Sequence, residues 1–64
     1  MMYVVRMFRK DNNPNEEYYY TRKRDASYHM DLFRGFAFEE GEYCGADLLL
    51  AGRYRETILD SISC

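Results

Sequence analysis

The chain opens with two β-favouring segments separated by a polar turn. Residues 2–10 are rich in β-branched and aromatic side chains, and residues 17–24 resume that composition with three tyrosines and a threonine. Between them, residues 11–16 are turn formers grouped around Pro14, whose fixed φ suits a chain reversal. The pattern predicts a β-hairpin with strands at 2–10 and 17–24.

The predicted turn also implies a register for the hairpin. If residues 11–16 reverse the chain, Lys10 lies opposite Glu17 and Phe8 lies opposite Tyr19. Opposite charges and aromatic pairs facing each other across strands each contribute about 0.2–1 kcal/mol. Both faces of the hairpin mix apolar residues with arginine or lysine, so we expect the cationic groups to lie over aromatic rings or at the rim of the sheet.

The middle of the chain predicts a third strand. Over residues 27–33, Tyr28, Met30 and Leu32 alternate with polar residues, as in a strand with one buried face. Residues 39–42 then contain three glutamates and a glycine, which predict an exposed acidic loop or the start of a helix.

From residue 46 the spacing of apolar residues changes. Large apolar side chains recur every four positions from Leu50 to Ile62, the pattern of a helix that lays one face on a sheet. We therefore expect a helix over about 46–62. Gly52 costs about 1 kcal/mol inside a helix relative to alanine, which leaves an alternative open: a short helix that ends near Gly52, followed by a closing strand over 54–63.

These elements predict a single α+β domain over residues 1–64, a small antiparallel sheet packed by a C-terminal helix. The chain has 64 residues, 47% hydrophobic and 31% charged, which is too short for a second domain and unlike the composition of disordered chains. The longest apolar run, residues 48–51, is far shorter than the roughly 20 residues needed to cross a bilayer. The N-terminal apolar segment contains Arg6 and lacks a small-residue cleavage site, so we expect a cytoplasmic protein without membrane contact.

The two cysteines, Cys44 and Cys64, form no disulfide framework and no zinc-binding spacing. In the cytoplasm we expect both to be reduced thiols rather than a Cys44–Cys64 disulfide.

The net charge of −2 conceals an asymmetry along the chain. Residues 1–24 carry six basic and three acidic side chains, a net charge of +3, whereas residues 25–64 carry three basic and eight acidic side chains, a net charge of −5. Two oppositely charged halves can attract different partners or each other.

The sequence offers little catalytic chemistry. His29 is the only histidine, and Asp31 would share its face in a strand, but that spacing is common by chance and no serine or cysteine motif accompanies it. The acidic residues Glu39, Glu40, Glu42 and Asp47 lack the order of a calcium loop, and the four glycines are too scattered to cradle a phosphate. We expect a protein that is not an enzyme and has no cofactor or metal.

The basic, tyrosine-rich hairpin is the strongest candidate for a binding surface. Tyrosine and arginine are enriched at interface hot spots, and a chain this small has little room for a substrate pocket in addition to a core. The sequence therefore predicts a small interaction protein, a regulator or inhibitor of a larger protein, of the kind found among accessory proteins of phages and mobile elements. The expected partner-binding residues are Arg6, Arg9, Tyr18, Tyr19, Tyr20, Arg22 and Arg24.

Two further expectations concern partners. Aromatic faces interleaved with cations are used to bind single-stranded nucleic acid, so nucleic-acid binding through the hairpin is the alternative function. A hairpin plus one helix buries little apolar surface, which favours a homodimer. Basic residues also protect sheet edges from aggregation, so the same pattern is compatible with a solvated edge and no ligand.

Overall fold

The secondary structure consists of two pairs of strands with one helical segment between them. The computed structural model describes residues 1–11, 13–37 and 42–63. The elements in chain order are β1 (Met2–Arg9), β2 (Glu16–Tyr20), α1 (Lys23–Leu32), a π-helical segment (Phe33–Ala37), β3 (Tyr43–Ala51) and β4 (Glu56–Ser63). The four strands form one antiparallel sheet in the order β2-β1-β3-β4. The predicted α+β class and the N-terminal hairpin are therefore confirmed.

The register of the hairpin differs from the prediction. Tyr19 lies opposite Val4 rather than Phe8, and Glu17 lies opposite Arg6 rather than Lys10. The reversal between the paired residues Met7 and Glu16 spans eight residues rather than the predicted six. Beyond Met7, the chain pairs only with β3, and the Lys10 N–H donates to the Glu42 carbonyl at 2.8 Å. Glu17 still faces a cation, Arg6. The strand β2 ends at Tyr20, four residues before the predicted end at residue 24.

The predicted third strand at 27–33 is wrong, because this segment belongs to α1 and the turn that follows it. Its buried side chains are Ala26, Met30 and Phe33, spaced by four and three residues as on one face of a helix. The other apolar residues that produced the alternation are exposed. Helical periodicity was present over this segment, and Met30 fits both the helical and the alternating pattern.

The predicted helix over 46–62 is also wrong, because β3 and β4 occupy this region. The closing strand of the alternative interpretation is confirmed as β4, while the short helix is not observed. The central strand β3 is buried on both sides, and such a strand has an apolar run that cannot be distinguished from a buried helix by its period. Gly52 lies in the turn between the strands, where its N–H donates to the Arg55 carbonyl at 2.9 Å.

The hydrophobic core lies between α1 and one face of the sheet, which we call the covered face. From the helical segment, Ala26, Met30 and Phe33 pack against the strands. The strand residues of this core are Val5, Met7, Ala46 and Leu48, with Tyr3, Tyr20, Tyr43 and Ile62 partly buried around them.

The opposite side of the sheet, which we call the open face, has no described element packed on it. The register assigns to it Met2, Val4, Arg6, Phe8, Glu17, Tyr19, Asp47, Leu49, Ala51, Glu56, Ile58 and Ser61. The α+β fold is thus a two-layer structure over the described residues, with one helix on one side of the sheet.

Within the described part of the chain, no helix is both long enough and apolar enough to cross a membrane. Of the predicted acidic loop, Glu39, Glu40 and Gly41 lie outside the described residues, as does Cys64.

Candidate functional site

An apolar row crosses the open face from one edge of the sheet to the other. Tyr19 of β2 is paired with Val4 of β1, Val4 with Leu49 of β3, and Leu49 with Ile58 of β4. The two central residues are each only 2% exposed, whereas Tyr19 is 59% and Ile58 is 60% exposed. The row therefore has a buried centre and two accessible ends.

The burial of Leu49 and Val4 needs an explanation, because no described helix covers them. Arg6 lies across this part of the face, where it forms ion pairs with carboxylates on both edge strands. Its Nε pairs with Glu17 of β2, and its Nη2 lies 2.8 Å from an Oε of Glu56 of β4. A side chain that starts on β1 and reaches β4 has to cross β3, the strand that carries Leu49. Arg6 and its two glutamates, which we call the ionic clasp, thus span the open face.

The hydroxyl of Tyr19 extends the ionic clasp at the β2 edge. It donates to Glu17 at 2.7 Å, and the two residues lie on the same side of the strand because they are two positions apart. This hydrogen bond, followed by the bond from Arg6, lowers the pKa of Glu17. The Tyr19 hydroxyl is thus engaged within the chain, while the residue remains 59% exposed.

The same arrangement occurs one residue earlier along the chain, on the other side of the strand. Glu16 accepts hydrogen bonds from Tyr18 at 2.7 Å, from Arg9 at 2.6 Å and from Tyr43 at 3.0 Å. The bond from Tyr18, followed by that from Arg9, lowers the pKa of Glu16, and the bond to Glu16 raises the pKa of Tyr18 to about 12. Arg9 also pairs with Asp11 at 2.9 Å and lowers the pKa of that carboxyl to about 2.

A groove of about 510 Å³ lies between the edge strand β2 and α1. At its wall, His29 Nδ1 is 2.6 Å from the Tyr20 hydroxyl, and burial lowers the pKa of His29. His29 and Asp31 do not share a face as they would in a strand, because residues two apart lie on different sides of a helix, whereas Asp25, four residues earlier, shares the side of His29. The groove is lined by Tyr20, Asp25, Tyr28, His29 and Leu32.

The seven residues that the sequence predicted as one partner-binding surface are distributed over three regions. Arg6 and Tyr19 lie on the open face, Arg9, Tyr18 and Tyr20 lie on the covered side, and Arg22 and Arg24 lie at the start of α1. Both hairpin arginines are held by carboxylates of the chain itself.

Sequence reasoning missed the β3 and β4 contributions to the open face. Leu49, Glu56 and Ile58 were assigned to a helix, although the run of apolar residues around Leu49 is also typical of a doubly buried strand. Once that run is placed in the centre of the sheet, alternation along β4 brings Glu56 and Ile58 to the same face.

Metal-binding chemistry is not found in the described residues, which contain no group of three or more His, Cys, Asp or Glu side chains able to hold an ion. Asp47 accepts a hydrogen bond from Ser61 at 2.7 Å, and Glu42 lies 3.5 Å from Arg9. The exposed thiol of Cys44 contacts the Arg9 carbonyl at 3.9 Å.

No protein-family model, curated protein or solved structure matches the chain.

Proposed function

We propose that this protein is a non-enzymatic interaction protein, a regulator or inhibitor, that binds a protein partner through its open face. The observation that carries the proposal is the apolar row across all four strands, with exposed Tyr19 and Ile58 at its ends. Interfaces typically combine a desolvated apolar centre with a polar rim, and tyrosine is enriched among their hot spots. The open face has this composition.

The charge of the open face indicates which kind of partner fits. It carries one arginine, Arg6, and three carboxylates, Glu17, Asp47 and Glu56, a net charge of −2. Because Arg6 is already engaged by two of those carboxylates, the face offers little attraction to a phosphate backbone. A protein surface with an apolar centre and a basic rim is complementary to it.

A homodimer through the open face is less favoured by the same charges. Two copies packed face to face would bring two surfaces of net charge −2 together, and like charges across an interface oppose association. Nucleic-acid binding through the hairpin is also less favoured, since Arg6 and Arg9 are each paired with at least two carboxylates. A cytoplasmic location remains a prediction.

Site-specific photocrosslinking tests the proposal. A photoreactive phenylalanine analogue replaces Tyr19 on the open face or, as a control, Tyr28 of α1, which is similarly exposed at 64%. Both proteins are irradiated in a lysate of the source cells, with and without excess unlabelled protein as competitor. We expect a discrete crosslinked protein from position 19 that the competitor removes, and none from position 28.

An unlabelled Ile58→Asp variant sharpens this experiment. Ile58 is exposed, so the substitution leaves the core intact while it interrupts the apolar row, and the variant should fail to compete for the crosslink. A Tyr28→Ser competitor should compete like the natural protein. Equal competition by the Ile58→Asp variant, or a crosslink only to a second copy of the chain, would contradict the proposal.

A further inference from the structure

Two separate segments rich in arginine and lysine meet at one end of the sheet. Tyr20, the last residue of β2, pairs with Tyr3 near the start of β1. At the same end, Ala51 of β3 pairs with Glu56, the first residue of β4, and Met2 pairs with Ala51. The connection from β2 to α1 and the turn from β3 to β4 therefore lie at the same end of the sheet, with the start of β1 between them. Neighbouring strands are about 4.8 Å apart, so about 10–15 Å separates them.

We call this region the basic end. Its cations differ from most of the other cations of the chain in that they have no carboxylate partner among the described residues. Of the nine lysines and arginines, Arg6, Arg9 and Arg34 each pair with at least two carboxylates. Lys10 lies at the opposite end of the sheet. The remaining five have no carboxylate within ion-pair distance among the described residues, and all of them are exposed: Arg22, Lys23, Arg24, Arg53 and Arg55.

The placement of these charges is unfavourable for the protein alone. Lys23 and Arg24 begin α1, and Arg22 precedes it, although the positive end of a helix dipole favours acidic rather than basic side chains. Within each of the two segments the cations also repel one another, and Asp25 in the first turn of α1 offsets only part of this charge. An anionic ligand would relieve both effects.

An aromatic ring accompanies the cations. Tyr54 is 90% exposed at the tip of the β3–β4 turn, between Arg53 and Arg55, and the Arg53 guanidinium carbon lies 5.8 Å from the centre of its ring. The hydrogen bond from the Gly52 N–H to the Arg55 carbonyl closes the turn beneath it. A solvent-exposed ring next to guanidinium groups can stack on a base while the cations contact phosphates.

We infer that the basic end binds single-stranded nucleic acid, with Tyr54 stacking on a base and the five cations contacting the backbone. This surface is distinct from the open face, and the inference does not depend on the proposed protein partner. Among the described carboxylates, Asp11, Glu16 and Glu42 lie toward the opposite end of the sheet. Glu56 lies at the basic end but is engaged by Arg6, and Asp25 lies in the first turn of α1 next to Arg24. The five cations therefore outnumber the carboxylates at this end of the sheet.

Fluorescence anisotropy with labelled oligonucleotides of about ten bases tests the inference, since single-strand sites span about 4–16 nucleotides. We expect binding of the natural protein at about 20 mM salt and a linear fall of log affinity with log salt concentration. The Arg53→Gln/Arg55→Gln variant should lower the salt slope by about 1.4, because each lost phosphate contact contributes about 0.7 on a single strand. Arg34→Gln is the matched control, and it should bind like the natural protein.

The Tyr54→Ala variant distinguishes between two candidate ligands, a nucleic acid and an acidic polypeptide. Loss of one stacking contact should weaken oligonucleotide binding by about 5- to 100-fold, whereas binding of labelled poly-glutamate, which has no bases, should not change. Tyr28→Ala controls for the removal of an exposed tyrosine elsewhere, and circular dichroism checks that each variant is folded. Absence of binding at low salt would overturn the inference. So would equal affinity for poly-glutamate with no effect of Tyr54→Ala, which would indicate an acidic protein ligand.

Discussion

Two neighbouring leucines on β3 are buried to the same extent by different means. Leu48 is 3% exposed and belongs to the covered face, where Met30 and other residues of the helical layer complete its surroundings. Leu49 is 2% exposed and belongs to the open face, where the ionic clasp formed by Arg6 crosses its strand. One leucine is covered by a packed helix and the other by a charged side chain.

The two leucines have covers of different strength: the helix over Leu48 stabilises the fold, whereas the ionic clasp over Leu49 is held by exposed ion pairs. A helix packed at the density of a protein interior cannot be removed without unfolding the domain. An exposed ion pair contributes only about 0–1 kcal/mol, because solvent screens the charges and the side chains lose entropy. Opening the ionic clasp over Leu49 should therefore cost little, which would give the proposed protein partner access to the apolar row.

The largest expected effect comes from truncating each leucine. We expect Leu48→Ala to lower the free energy of unfolding by about 2–5 kcal/mol, as for a cavity in a closed core. Leu49→Ala should cost less, about 1–2 kcal/mol, because the Arg6 side chain and water can fill the space that the leucine leaves. Urea denaturation of the two variants, followed by circular dichroism, measures both values.

Equal losses in the two variants would show that the open face is packed as rigidly as the core, which would contradict a cover that opens at low cost. If Leu48→Ala does not fold, Leu48→Val and Leu49→Val allow the same comparison with smaller cavities. The expected order of the two losses is unchanged.

The elements of this fold that can be predicted from the sequence are those that depend on residues close together in the chain. The hairpin was predictable because turn formers around Pro14 separate two β-favouring segments, and such a signal is local. The α+β class followed from the presence of both periodicities. The positions of the helix and the later strands could not be predicted in the same way. Met30 of the helix, for example, fits both an alternating pattern and a helical one.

The composition of the open face was less predictable, since it depends on contacts distant in sequence. Glu17 and Tyr19 were recognised as strand neighbours, but Glu56 lies 50 residues from Arg6 and meets it only through the strand order β2-β1-β3-β4. No local pattern encodes that order. Arg6 was predicted as a partner-binding cation, whereas the structure places it in the ionic clasp over Leu49.

A smaller effect is expected from removing the ionic clasp itself. We expect Arg6→Gln to lower the free energy of unfolding by about 0.5–1 kcal/mol and to increase the solvent accessibility of the Leu49 methyl groups. Arg34→Gln is the matched control, because Arg34 also contacts two carboxylates but covers no buried leucine of the open face. Paramagnetic solvent probes with methyl NMR should report greater exposure of Leu49 in the first variant only. Unchanged exposure would mean that the strands alone shield Leu49.

The smallest effect concerns the pH dependence of the two Tyr–Glu pairs of β2. The folded-state pKa values of Glu16 and Glu17 lie below the ordinary value of 4.5. The stability that these carboxylates contribute is therefore fully present above about pH 4.5 and is lost as pH falls through the lower folded-state values. Acid should therefore weaken both sides of the hairpin below about pH 4.5.

Removing one hydroxyl at a time tests whether the two sides titrate independently. Tyr18→Phe should raise the pKa of Glu16 and leave that of Glu17 unchanged, and Tyr19→Phe should do the reverse, because each tyrosine is the largest cause of its own neighbour's shift. Carboxyl carbon NMR titration measures both pKa values. If either variant moved both glutamates, the charges on the two faces would be coupled through the strand. Protonation on the covered side would then also loosen the ionic clasp, so the open face could not be treated as an independent binding surface.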